Sequence, residues 1–214
     1  MAVSKANRTK RQTREKIAQL REQQRRADRR RKVITGVIVG MLAAAGIAAI
    51  AWAVASKNSS GAPAVAGVRS FSGLSRTHVP GKVSYPQTPP VGGNHNAVPL
   101  NCGIYTSPVP NENAVHSLEH GAVWVTYRPA LPAARVTTLQ NLVRGEPQGK
   151  RGYVILSPYP GLPAPVVASA WGKQLQISSA TDPRLAQFIT AYAQGPQTPE
   201  PGAACSGGVG TPQP

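Results

Sequence analysis

Beyond Met41 the chain has no methionine, and its cysteines number two, Cys102 and Cys205, with no C-x-x-C pair. Soft thioether handling of Cu(I) and thioredoxin-like redox chemistry therefore lack the side chains they need. No Walker loop, G-x-S-x-G elbow or dinucleotide fingerprint occurs, which leaves nucleotide hydrolysis and serine-esterase chemistry without support. Residues 1–32 contain no aromatic side chain to stack on a base. The net charge of +16 is also unevenly spread: those 32 residues hold 13 Lys+Arg against 3 acids, a net of +10, and the remainder carries +6. Nucleic acid is thus not the expected partner.

A run of 23 residues without charge, 33–55, follows that basic segment. At about 1.5 Å rise per residue it just exceeds a hydrocarbon core of ~30 Å, and it predicts a transmembrane helix. A cleaved signal peptide fits less well, because both the 32 residues before the run and the run itself are long for one. The positive-inside rule places residues 1–32 in the cytoplasm and 56–214 outside, a plasma-membrane location. Arg25, Arg26, Arg29, Arg30, Arg31 and Lys32 would then lie against anionic lipid headgroups. Residues 14–31 lack Gly and Pro and favour a basic helix. Gly36 and Gly40 form a G-x-x-x-G pair suited to a second membrane helix, from a membrane-protein partner or a homodimer.

All 21 prolines occur from Pro63 onward, a density that excludes long helices and predicts a loop-rich exterior part. The expected organisation is a linker at 56–70, one α+β domain at 71–194 and a Pro/Gly-rich tail at 195–214. Strands are expected at 122–127, 153–156, 166–171 and 174–177. Two helices are expected, Pro132–Arg144 and Pro183–Ala193, the second with Asp182 as its N-cap. The fold class is α+β with a short sheet. Cys102 and Cys205, an even pair in an oxidising setting, are expected to form a disulfide that pins the tail.

All four histidines fall between positions 78 and 120: His78, His95, and the pair in His116-Ser117-Leu118-Glu119-His120. Imidazoles four apart on a helix share a face, and with a carboxylate they suit one Zn(II) or Cu(II). His95, His116 and His120 are the expected ligands, with His78 and Glu119 as further candidates. H-x-x-E-H is also a zinc-peptidase signature in which the glutamate activates water. That use would need a further carboxylate from Glu146, Asp182 or Glu200, and Gly121 ends any helix at once. The alternative to a site is that these polar side chains satisfy buried backbone groups.

The strings Pro89-Pro90-Val91-Gly92-Gly93-Asn94-His95-Asn96, Asn101-Cys102-Gly103-Ile104-Tyr105 and His116-Ser117-Leu118-Glu119-His120-Gly121-Ala122-Val123-Trp124 resemble bacterial envelope proteins of domain of unknown function family 3105. The resemblance covers roughly residues 71–192 and implies a single-pass membrane protein with an exterior domain and no established activity. Where many members carry a Ser-Gly pair, this chain has Gly92-Gly93-Asn94, so hydrogen bonding in that loop is expected to differ. Three functions follow. The first is a domain that binds a metal or ligand through its histidines without turnover. The second is a structural or assembly partner of an envelope membrane complex. The third is a zinc hydrolase using Glu119; an enzyme is the less expected outcome.

Overall fold

The computed structural model describes residues 65–146 and 152–213. The chain divides into units Met1–Gly61 and Ala62–Pro214, and every described residue belongs to the second. Six strands form one mixed sheet: β1 (Arg69–Ser70), β2 (Gly103–Ile104), β3 (Val123–Tyr127), β4 (Val154–Pro158), β5 (Val166–Ala170) and β6 (Lys173–Ile177), in the order β1-β6-β5-β3-β4-β2. The β3–β4 and β2–β4 pairs are parallel; β3–β5, β5–β6 and β1–β6 are antiparallel. Among the described residues there are three helices, α1 (Asn111–Glu119), α2 (Ala133–Gly145) and α3 (Pro183–Tyr192).

The period-two alternation of the strands divides the core into two layers. Val123, Val125, Val154, Leu156, Ala168 and Leu175 face α2 and α3, which contribute Leu139, Leu185, Phe188 and Ile189. Trp124 and Ile155 point to the opposite face and pack with Ala114, Val115 and Leu118 of α1. Both faces are covered, so β3, β4 and β5 are buried along their whole length. Trp124 can be buried because its indole N–H donates to Ser157 Oγ at 2.9 Å. Asp182 caps α3 as expected, its carboxylate accepting from Arg184 N at 3.0 Å.

The α+β class and the four longer strands agree with the sequence, and the helix count does not. The additional helix is α1, nine residues without a capping side chain before it. It is held by tertiary packing, with every residue from Ala114 to Glu119 buried. Its C-terminus is closed by a Schellman arrangement: Gly121 N donates to Leu118 O at 3.0 Å and Ala122 N to Ser117 O at 2.8 Å, with Gly121 at φ 94°.

The expected plasma-membrane location requires correction. Among the described residues no helix is long and apolar enough to cross a membrane. The longest of the three, α2 with 13 residues, reaches about 20 Å against a hydrocarbon core of ~30 Å. The basic segment 1–32, the span expected at 33–55 and the Gly36/Gly40 pair all lie outside the described residues.

Candidate metal centre

Two extended segments and α1 build the site on the side of the sheet opposite α2 and α3. His78 and His95 face each other across a parallel bridge, with Val79 N donating to His95 O at 2.8 Å and His95 N to Thr77 O at 3.1 Å. The turn preceding His95 needs Gly92, at φ 145°, where a Cβ would stand 2.8 Å from Leu74 Cδ1 and 3.2 Å from the Trp171 ring. The segment is tied to α1 by Asn96 N donating to Glu112 O at 3.2 Å. His116 and Glu119, three apart on α1, project toward the bridge.

His78, His95, His116 and Glu119 each offer a ligand atom, and these four atoms lie within 4.8 Å of one another. The rings of His78, His95 and His116 are mutually 4.9 Å apart between centroids. Of the four, His95, His116 and Glu119 are buried, and His78 is about half exposed, so the cluster opens to solvent on that side. Glu119 Oε2 lies 2.9 Å from His95 Nε2 and 3.9 Å from His78 Nε2, while Oε1 accepts from Arg76 Nε at 2.7 Å.

Backbone carbonyls fix the tautomers. His95 Nδ1 lies 2.8 Å from Gly93 O, His116 Nδ1 2.7 Å from Asn96 O, and His120 Nδ1 2.7 Å from Ala204 O. A carbonyl oxygen only accepts, so each Nδ1 carries the proton and each neutral ring is left with a lone pair on Nε2. The buried Nε2 of His95 lies 2.9 Å from Glu119 Oε2, a contact that a doubly protonated ring closes with a hydrogen bond and a singly protonated ring with a shared cation. The Nε2 of His116 lies 2.9 Å from that of His120. Burial holds the His116 imidazole below its ordinary pKa; the carbonyl of Asn96 opposes this, and the neighbouring His120, His95 and His78 add to it.

His120 falls outside the tightest group. As the C-cap of α1 it turns toward the C-terminal residues, where Glu200 Oε2 lies 3.5 Å from its Nε2. Of the three later carboxylates singled out in the sequence, Glu200 thus approaches the histidines, and Asp182 is engaged by Arg184. Cys102 and Cys205 form the disulfide, Cα to Cα 5.4 Å, and both sit with the core layer beneath α1. Sequence reasoning missed Arg76, whereas it placed Glu112 one turn back on the stripe that carries His116. Glu112 is buried, accepting from Val83 N at 3.0 Å and Lys82 Nζ at 3.4 Å, and it anchors the loop that follows His78. Its spacing four residues before His116 was the available signal.

A family model described as protein of unknown function (DUF3105) matches residues 78–207, more than half of the chain and all four histidines. No curated protein and no solved structure matches.

Proposed function

This chain belongs to the DUF3105 family, and we propose that its histidine cluster binds one divalent transition-metal ion, Zn(II) or Cu(II), through His78, His95, His116 and Glu119. The observation that carries the reading is the tautomer pattern: the Nδ1–H groups of His95 and His116 are spent on carbonyls, which leaves Nε2 lone pairs converging on a carboxylate oxygen. A backbone carbonyl behind each imidazole is the usual support of a metal-bound histidine. The close approach of lone pairs is repulsive until a proton or a metal ion is shared between them, and the convergence of three imidazoles on one carboxylate favours the metal ion. Donor atoms of a tetrahedral zinc site stand roughly 3.3 Å apart for bonds of about 2.0–2.1 Å, so a set within 4.8 Å needs only a small inward movement. The half-exposed His78 is the member free to make it. Three nitrogens and one oxygen suit Zn(II) and Cu(II) and disfavour Cu(I), since the cysteines are joined in a disulfide.

Arg76 favours a ligand role for Glu119 over a general base. The guanidinium holds one carboxylate oxygen at 2.7 Å and the other faces His95, which leaves neither oxygen directed at an open water position. Titration of the metal-free full chain with Zn(II) and Cu(II) should give one saturable site per chain. Its affinity should fall in acid, where protons compete for the same lone pairs, and burial of His116 moves its share of that competition below the ordinary imidazole range. His95→Ala and His116→Ala should abolish it. No saturable heat with either ion overturns the reading and leaves the histidines the role of satisfying buried groups. Zinc-dependent peptide or ester hydrolysis that disappears in Glu119→Gln with the ion retained would instead support the hydrolase.

A further inference from the structure

Residues 194–205 form a strap across the C-terminal end of α1, where the carbonyls of Glu119, the C-cap His120 and the following Gly121 have no partner within the helix. The strap supplies donors to each: Glu200 N to Glu119 O at 3.1 Å, Gln194 Nε2 to His120 O, and Gln194 N to Gly121 O at 2.9 Å. It also holds the His120 side chain, with Ala204 O accepting from Nδ1 at 2.7 Å and Glu200 Oε2 lying 3.5 Å from Nε2. Ala204 directly precedes Cys205, which is bonded to Cys102 at a separation of 103 residues. Between 195 and 205 only Thr198 and Cys205 are buried, so little apolar packing retains the strap. Its remaining ties are polar and compete with water, each contributing about 1 kcal/mol net.

We infer that the Cys102–Cys205 disulfide regulates the metal site by pinning this strap, so that opening the bond loosens the end of α1 that carries Glu119, together with Arg76 behind its carboxylate, and lowers the site's affinity. The inference rests on the metal reading above. The clamp is covalent and closes a long loop, a constraint that the strap's scattered hydrogen bonds cannot replace. Opening it requires a dithiol reductant. A thiolate of the reductant attacks one sulfur of the pair, and its second thiol then resolves the mixed disulfide. Two electrons and two protons pass to Cys102 and Cys205 as thiols, and the reductant leaves as its own disulfide. Glu119 then loses the Glu200 N–H that closes its backbone carbonyl, and Arg76, which holds the Glu119 carboxylate, loses its contact with Glu200 Oε1 at 3.5 Å.

The test is Zn(II) titration of the full chain as the intact disulfide form, as reduced protein alkylated with iodoacetamide, and as Cys102→Ser/Cys205→Ser. Both thiol-free forms avoid new sulfur ligands. The intact form should bind one Zn(II), and the thiol-free forms should bind about tenfold more weakly or worse, the usual loss when a supporting shell is removed, with unchanged far-ultraviolet circular dichroism. No binding to the intact form sinks the metal reading itself. Equal affinity in intact and thiol-free forms overturns the clamp alone. Gln194→Ala in the disulfide-bonded protein, which removes the side-chain tie between the strap and the end of α1, decides the question should the thiol-free forms unfold. It should reproduce the weakening, and an unchanged affinity there overturns the inference.

Discussion

The Nε2 atoms of His116 and His120 face each other at 2.9 Å, and behind each ring a backbone carbonyl, of Asn96 and of Ala204, takes the Nδ1 proton. Two neutral rings so held would meet lone pair to lone pair, so the contact needs either a proton on one Nε2 or a cation beside the pair, and burial disfavours the proton on His116.

That relationship predicts an imidazole signature. In zinc-loaded protein, long-range nitrogen–proton correlation spectra should show His95 and His116 as Nδ1–H tautomers with the Nε2 resonance displaced by the metal. Both Nδ1 protons should exchange slowly, being hydrogen-bonded to carbonyls. An Nε2–H tautomer for either ring in the zinc-loaded protein removes it from the ligand set.

Glu119 couples the site to stability. Its carboxylate is buried and paired with Arg76, whose side chain is about half exposed. Replacing Glu119 by Gln keeps the shape but removes the charge on one side of that pair. Screening at the exposed guanidinium limits the cost, and we expect a modest fall in the urea midpoint of the metal-free protein. Metal affinity should fall as well, since the amide oxygen is a much poorer donor than a carboxylate. A variant as stable as the parent would show that the ion pair contributes nothing, and unchanged affinity would place Glu119 outside the ligand set.

Gly121 joins α1, the strap and β3. It occupies φ 94°, and a Cβ there would meet the side chains of Gln194 and Thr198. Gly121→Ala should therefore cost more than the ~1 kcal/mol of backbone strain alone. It should also weaken metal binding, because the displaced Gln194 no longer closes the strap on His120. A variant with normal thermal stability and normal affinity contradicts this.

The four longer strands and the two longer helices were legible because each carries its own local signal. A run of β-branched and aromatic residues marks Val123–Tyr127, and a proline start with a capping Asp182 marks α3. The helix bearing His116 and Glu119 had no such signal. It follows Pro110, it lacks a side-chain cap, and its burial is set by Trp124, Ile155 and Leu100 from elsewhere in the chain. The histidines were recognisable as a group from their confinement to one segment. Which of them converge was not, because the choice between His78 and His120 depends on long-range partners: the 77–95 bridge brings His78 in, and Ala204 holds His120 aside. Arg76 was invisible for the same reason, lying 43 positions from the carboxylate it pairs with.

The buried Glu112 supplies a test in acid. Burial works against its charge, but the N–H of Val83, its own backbone N–H and Lys82 together outweigh burial and hold its carboxyl below the ordinary range. A carboxyl with a folded pKa below its unfolded value, about 4.3, binds fewer protons when folded. Its stabilisation is therefore present above pH ~4.3 and is lost as pH falls through the lower, folded value. In the metal-free protein, urea midpoints of the parent should drop across that window more steeply than those of Glu112→Gln, and the two curves should converge at its acid end. Because Glu112 anchors Val83, five residues after His78, the same variant should loosen His78 and lower Zn(II) affinity at pH 7. Parallel stability curves for parent and variant from pH 6 to pH 3 would show that this carboxylate does not pin the loop.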